Sequence, residues 1–354
     1  MSKYWSNTAR GIEPYVPGEQ PRDRKYIKLN TNENPYPPSP RVIKAIRDAA
    51  NDSLRLYPDP TCDDLRRALA EHYGLDKEQV YVGNGSDELL AFSFLAFFNP
   101  GEPILFPDIT YSFYPVYSNL FNIDYINIPL NEEFGIDIEK FFQKNGGIII
   151  PNPNAPTAKC LPLESVRKVL DKNLEKVVII DEAYIDFGGE TSTGLINEYP
   201  NLLVIQTLSK SRSLAGLRVG FAFGHKGLIE GIDRIKNSFN SYTVDRLAIA
   251  ATLASIEDED YFNYTREKII RTRERVIQQL GNIGFKVVES KANFIFISHP
   301  SFPAEDIFKR LRENGILVRY FKRPRIDNFL RVTIGTDEEM DEFLKIVREI
   351  TCMG

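Results

Sequence analysis

Cysteine and histidine are scarce in this chain, and neither is grouped. The three cysteines (Cys62, Cys160, Cys352) and three histidines (His72, His225, His299) are scattered through 354 residues. None of them makes a metal-spaced pair, so no metal site is expected. No apolar run approaches the length that crosses a bilayer. The first residues, Met1-Ser2-Lys3-Tyr4-Trp5-Ser6, have no apolar core of the secretory kind, and a cytoplasmic location is expected. Runs of basic charge are also missing. With a net charge of −5, neither nucleic acid nor an anionic membrane is expected as the main partner. A small anionic substrate stays open, because local arginines decide that. What is present is ordinary for a globular chain, 42% hydrophobic and 26% charged, and long enough for two domains.

The most informative stretch is Thr207-Leu208-Ser209-Lys210-Ser211-Arg212-Ser213-Leu214-Ala215-Gly216-Leu217-Arg218. It follows the apolar run Asn201 to Gln206 and precedes Val219 to Phe223, both short enough to be buried strands. A lysine and an arginine held between interior strands suit either a buried ion pair or a Schiff-base lysine beside a phosphate-binding arginine. A second buried strand, Lys176 to Ile180, ends in Asp181-Glu182-Ala183-Tyr184. An Asp at a strand end is by itself more often a helix cap. In open α/β sheets, however, ligands bind at the carboxyl ends of strands, where Asp181, Tyr184 and Lys210 can meet. Pyridoxal phosphate asks for that set: an amine for its aldehyde, a carboxylate for its ring nitrogen, and hydroxyls or cations for its phosphate.

Elsewhere, Val80-Tyr81-Val82-Gly83-Asn84-Gly85-Ser86-Asp87-Glu88 reads as strand, glycine turn and helix start. Gly85, Ser86 and Asp87 there offer backbone N–H groups to an anion. The dinucleotide pattern fails, since position 88 is Glu rather than a third glycine. Residues 1–28 carry Pro14, Pro17 and Pro21 and read as an extended arm rather than a packed element. Ser39-Pro40 predicts a capped helix over 41–50. Thr61 with Asp64 predicts a capping pair for a helix over 62–73 that stops at Gly74. Helices are expected over 226–237, 246–255, 261–280 and 304–313 and from Glu338, with strands over 293–297, 316–320 and 329–335. Phe113 and Tyr114 read as core packing in a chain that is 12% aromatic.

Asp181-Glu182-Ala183-Tyr184, Thr207-Leu208-Ser209-Lys210 and Leu214-Ala215-Gly216-Leu217-Arg218-Val219-Gly220 resemble the signature of the fold-type I pyridoxal-phosphate aminotransferases, and the resemblance spans nearly the whole chain. It implies an α/β fold: a large domain (29–245) with a mainly parallel seven-stranded sheet between helices, a smaller α+β C-terminal domain (246–354), and the arm (1–28) across the active-site mouth. It assigns Lys210 to the cofactor aldehyde, Asp181 to the ring nitrogen, Tyr184 to the phenolic oxygen and Tyr111 to stacking on the ring. Gly85, Ser86, Asp87, Ser209 and Arg218 go to the phosphate, with Tyr57 reaching the neighbouring subunit's phosphate in a homodimer. Ala155 stands where the family often has Asn, and Ala158 where it has Gly, which leaves Asn154 as the nearest candidate for the phenolic oxygen. Tyr15, Asn32, Arg319 and Arg331 match positions near the substrate. From the residues alone, Tyr15 can equally tack the arm down and Arg331 can be solvated. A transaminase of small anionic amino substrates leads. An aromatic or other amino-acid aminotransferase and a threonine-phosphate decarboxylase share fold and cofactor. A non-catalytic regulator is disfavoured, because both Lys210 and Asp181 are present and the arm is too short and proline-broken for a helix-turn-helix.

Overall fold

The computed structural model describes residues 2–352; Met1, Met353 and Gly354 lie outside the described residues. The N-terminal segment carries one short helix, Asn7–Gly11, capped by Ser6 and with no buried residue, where only extended chain is expected. It ends in strand β1 (Ile27–Lys28).

Seven strands then build the main sheet: β2 (Val80–Gly83), β3 (Ile104–Pro107), β4 (Tyr125–Ile128), β5 (Ile148–Pro151), β6 (Val178–Asp181), β7 (Leu202–Thr207) and β8 (Gly220–Gly224). Their order is β2-β8-β7-β6-β5-β3-β4. Only β8 runs against its neighbours. The interior strands are apolar until their carboxyl ends, where Asp181, Gln206 and Thr207 stand, because both faces are covered. Alternate residues go to opposite cores: Ile148, Ile150, Val178 and Ile180 to one, Ile149, Ile179, Leu203 and Ile205 to the other. Leu202 to Thr207 is buried at every position.

The C-terminal part holds an antiparallel sheet of β9 (Lys286–Val288), β10 (Phe294–Ser298), β12 (Arg319–Tyr320) and β13 (Leu330–Thr333), ordered β12-β13-β10-β9. The run 316–320, expected as one strand, is shared between two sheets. Its first half, β11 (Ile316–Leu317), pairs in parallel with β1, and its second half pairs with β13. Val318 between them is buried in the C-terminal core. Leu29, on the large-domain side of the boundary drawn at residue 28, packs in that same core. Because β13 alternates, Leu330 and Val332 face this core while Arg331 points the other way.

Helix ends follow local chemistry. Ser39 accepts from the Val42 N–H at the start of Pro40–Ala49. The helix Asp63–Tyr73 differs from expectation. Its cap position, Cys62, is left-handed and makes no side-chain cap bond. Asp59 does that work from outside the helix: its carboxylate accepts from the N–H of Thr61 and Asp63 and from the Thr61 hydroxyl. A carboxylate takes more of the free N–H groups than a threonine hydroxyl can, and Asp64 is drawn off to Arg67. Gly74 ends the helix in the left-handed conformation, as expected. Accordingly, Asp59→Ala should lower unfolding stability by about 1 kcal/mol, while Asp64→Ala should change it by less than about 0.5 kcal/mol; denaturant unfolding of both variants checks this.

Candidate active site

The carboxyl ends of β5, β6 and β7 open into a cavity of about 220 Å³. It is closed by the start of the helix Gly85–Phe97, by the segment after β3, by the arm, and by the C-terminal sheet. The lining includes twelve residues singled out from sequence: Tyr15, Asn32, Ser86, Asp87, Tyr111, Asp181, Tyr184, Ser209, Lys210, Arg218, Arg319 and Arg331.

Lys210 sits one turn beyond β7, in a peptide that three side chains brace. Asn34 donates to the Lys210 and Ser211 carbonyls. The Ser211 hydroxyl donates to Asp186, and the Arg212 guanidinium reaches the Ser255 carbonyl and Glu259. The Lys210 amine itself has only the Thr31 carbonyl, at 3.3 Å. No carboxylate lies within ion-pair distance of it among the described residues. Burial pulls its pKa down to about 8, aided by the positive charges of Arg331 and Arg218 and opposed by Glu33 and Asp87.

Asp181, the last residue of β6, is buried, and its pKa is raised to about 6 by that burial and by the charge of Asp87. The Tyr114 hydroxyl donates to it at 2.7 Å. Tyr184 follows on a bend. Its hydroxyl accepts from Asn32 Nδ2 at 3.0 Å, and burial raises its pKa. Asn32 is held in the left-handed region: Thr333 accepts its N–H and donates to its carbonyl oxygen Oδ1, and Asn293 donates to its backbone carbonyl.

The turn after β2 is fitted by missing side chains. Gly85 has φ +77°, and a Cβ there would lie 2.7 Å from Arg218 Nη2. A Cβ at Gly220 would lie 2.6 Å from the Ser86 backbone nitrogen. Both glycines are therefore required for Arg218 and β8 to close on the helix start. There Arg218 pairs with Asp87 at 3.1 Å, and Tyr111 donates to the other Asp87 oxygen at 2.8 Å. The Ser209 hydroxyl is oriented by Thr207.

Two arginines come from the C-terminal sheet. Arg331 donates to the Asn30 carbonyl at 2.9 Å, and its Nε is buried without a partner. Arg319 reaches only the Val16 and Pro17 carbonyls, at 3.3 and 3.5 Å. Neither has a carboxylate within 4.0 Å among the described residues. Tyr15 stacks on Phe113 at 4.3 Å, so it both fastens the arm and faces the cavity.

Three expected residues are not in the lining. Gly85 stands behind Ser86 and Arg218. Asn154 is wholly buried in the wall, with its amide donating to the Ile109 carbonyl and the Thr157 hydroxyl; Ala155 and Pro156 face the cavity instead. Tyr57 is 77% exposed and stacks on Tyr242 at 4.5 Å. Sequence reasoning missed Asn30, Thr31, Thr110 and Phe321, which also line the cavity, and it left Tyr114 among the core. The three-residue spacing from Tyr111 to Tyr114 was the available signal.

Unpartnered groups here suit pyridoxal phosphate. The Lys210 amine is free of carboxylates, the Thr110 hydroxyl is buried without a partner, and the helix start presents its free N–H groups beside Arg218.

The chain belongs to the class I and II aminotransferases, whose family model matches residues 24–347. Within that family its similarity is to the histidinol-phosphate aminotransferases. It is 62% identical over 349 residues to the histidinol-phosphate aminotransferase of Clostridium acetobutylicum, covering 99% of each chain. It is 61% identical over 350 residues to that of Clostridium botulinum, again covering 99% of both. Its fold matches the crystal structure of histidinol-phosphate aminotransferase from Sinorhizobium meliloti in complex with pyridoxal-5'-phosphate, with a TM-score of 0.91, 24% identity, and coverage of 100% of this chain and 99% of that one.

Gly220→Ala should weaken pyridoxal phosphate binding at least about tenfold by displacing the Ser86 N–H, and should lower stability by about 1–3 kcal/mol; equilibrium dialysis and thermal unfolding check the two effects.

Proposed function

We propose that this protein is a pyridoxal-phosphate-dependent transaminase that exchanges the amino group of histidinol phosphate with the oxo group of 2-oxoglutarate. The observation that carries the reading is Lys210: a half-buried lysine with no carboxylate partner, in one cavity with Asp181 and with two arginines that lack carboxylate partners. The full-length identity to histidinol-phosphate aminotransferases favours this substrate over those of an amino-acid aminotransferase or a threonine-phosphate decarboxylase.

Bound at Lys210, pyridoxal phosphate supplies an aldehyde that takes the amino group and a ring that spreads the electron pair left when a C–H proton departs. Asp181 holds the proton on the ring nitrogen. Tyr184, oriented by Asn32, donates to the phenolic oxygen. Ser209, Arg218 and the N–H groups at Gly85, Ser86 and Asp87 hold the phosphate, with Tyr57 of a second subunit completing that set in a homodimer. Tyr111 covers the ring face. Lys210 Nζ, once the substrate's nitrogen has taken its place on the aldehyde carbon, would be the free amine that takes the proton from the substrate carbon that bears nitrogen. With a pKa of about 8, about a tenth of that amine is neutral at pH 7 and half at pH 8.

Arg331 and Arg319 must accept a phosphate on one partner and a carboxylate on the other. A planar guanidinium fork serves both in bidentate fashion. The arm, carrying Tyr15, closes the mouth above them. The division into arm, large domain and small domain belongs to the same proposal, with the cavity between the last two. Two half-reactions at one site give ping-pong kinetics.

The test is the visible absorbance of the holoprotein, titrated with L-glutamate and, separately, with histidinol phosphate. Bleaching by both supports the reading; bleaching by neither ends the substrate assignment. No visible band in the wild type after added pyridoxal phosphate ends the cofactor assignment. Lys210→Ala should show no such band. Because the Lys210 pKa is depressed, the rate of cofactor uptake should climb between pH 7 and 9 with its midpoint near 8, as stopped-flow absorbance measures. Arg331→Lys should raise KM for histidinol phosphate by about 10–100-fold with a smaller change in kcat, as steady-state kinetics read.

A further inference from the structure

Tyr114 is wholly buried, on the first turn of the helix Phe113–Phe121. Its ring packs against Phe106 and stands edge-on to Tyr111, with centroids 5.7 Å apart in both pairs. A phenylalanine would fill this space equally well. A hydroxyl in such a place is costly unless it is bonded, and this one has a single bond, to Asp181 Oδ2 at 2.7 Å. Burial and the charge of Asp181 hold its pKa well above 10. The proton therefore stays on the tyrosine, and the carboxylate is the acceptor.

Asp181 has little else to favour its charge. Its other oxygen accepts one long bond, 3.3 Å from the Ala183 N–H. No Lys, Arg or His pairs with it among the described residues. The titratable groups about it are Tyr114 and Tyr111 from the segment after β3, Tyr184 from its own strand end, and Asp87 from the helix start. Asp87 opposes its ionisation. Burial does the same, so the hydroxyl of Tyr114 is the strongest contact that favours the anion.

We infer that Tyr114 is a positioning residue: it keeps the Asp181 carboxylate ionised and aimed into the cavity, and its ring edge fixes Tyr111. The inference rests on the pyridoxal-phosphate reading above, because an ionised Asp181 matters only if a protonated ring nitrogen is to be held. Loss of the hydroxyl leaves the carboxylate more basic, so Asp181 competes better for the proton and the ring nitrogen holds it less well.

The experiment loads apoprotein with pyridoxal phosphate labelled with nitrogen-15 in the ring. Nitrogen NMR of wild type and Tyr114→Phe then follows the ring nitrogen from pH 6 to 9, and equilibrium dialysis gives the cofactor dissociation constant. The two proteins are compared where circular dichroism shows the same fold. In Tyr114→Phe the nitrogen signal should lie nearer its unprotonated value throughout that pH range, because the proton passes within the pair from the ring nitrogen to the more basic carboxylate, and cofactor affinity should fall about tenfold, as for loss of a hydrogen bond to a charged group. In the Asp181→Asn background the same change should alter affinity less than about twofold, because no carboxylate remains to be held. An unchanged nitrogen titration, or an equal loss of affinity in both backgrounds, overturns the inference and leaves Tyr114 as packing. A wild type that does not bind the cofactor, or whose ring nitrogen is unprotonated, overturns the cofactor reading itself and this inference with it.

Discussion

An ammonium group withdrawn from water is tolerated when a carboxylate neutralises it or when it sheds its proton. In this chain Lys210 is half-buried at the cavity floor without such a partner, and the contacts around it bear on that. The peptide carrying it is fastened by Asn34, by Ser211 through Asp186, and by Arg212 through Ser255 and Glu259. Two cations, Arg331 from the C-terminal sheet and Arg218 from the loop between β7 and β8, push the amine in the same direction as burial does. The lowered basicity of this amine, owed first to burial and then to those cations, is then a property of several parts of the fold at once.

The same arrangement separates tasks along the cavity. The main sheet contributes groups at strand ends, where the backbone stops and side chains can reach forward: Asp181 from β6, Ser209 and Lys210 from the loop after β7. The C-terminal sheet contributes charge from a strand face, Arg331 beside Arg319. Both rest on covered strands: the main-sheet strands are buried on both sides, and in β10 Ile295 and Ile297 face the C-terminal core while Phe294 and Phe296 are buried on the opposite face. Glycine serves here by absence, since Gly85 and Gly220 let an arginine and a strand close on a helix end that any larger residue would hold apart.

Much of this was legible in the chain itself. Apolar strands ending in Asp181 and Lys210 show where the sheet's carboxyl edge lies, and the glycine turn at 83–85 shows the helix start beside it. Less legible were features set by contacts between distant segments. Nothing local indicates that 316–320 divides between two sheets, because the division depends on β1 reaching Ile316 and Leu317 from the other end of the chain. Thr61 carries the sequence pattern of a cap, yet Asp59 performs the capping from a turn outside the helix. Asn154 sits beside the right position, but the backbone turns its amide into the wall. Tyr114 looked like core and is core; its hydroxyl acquires meaning only when β6 places Asp181 against it.

The pairing of β1 with β11 joins residues near the start of the chain to residues near its end. Leu29, just after β1, is buried in a core whose other buried residues all lie beyond residue 180. During synthesis the N-terminal segment emerges from the ribosome hundreds of residues before the strand that receives it. The main sheet can close while that segment is still unpaired, and the loop that brings its ends together is among the longest the chain permits. Completion of the cavity therefore waits on the C-terminal strands, and a nascent chain that has formed its main sheet still lacks the arginines and the docked arm that finish the site.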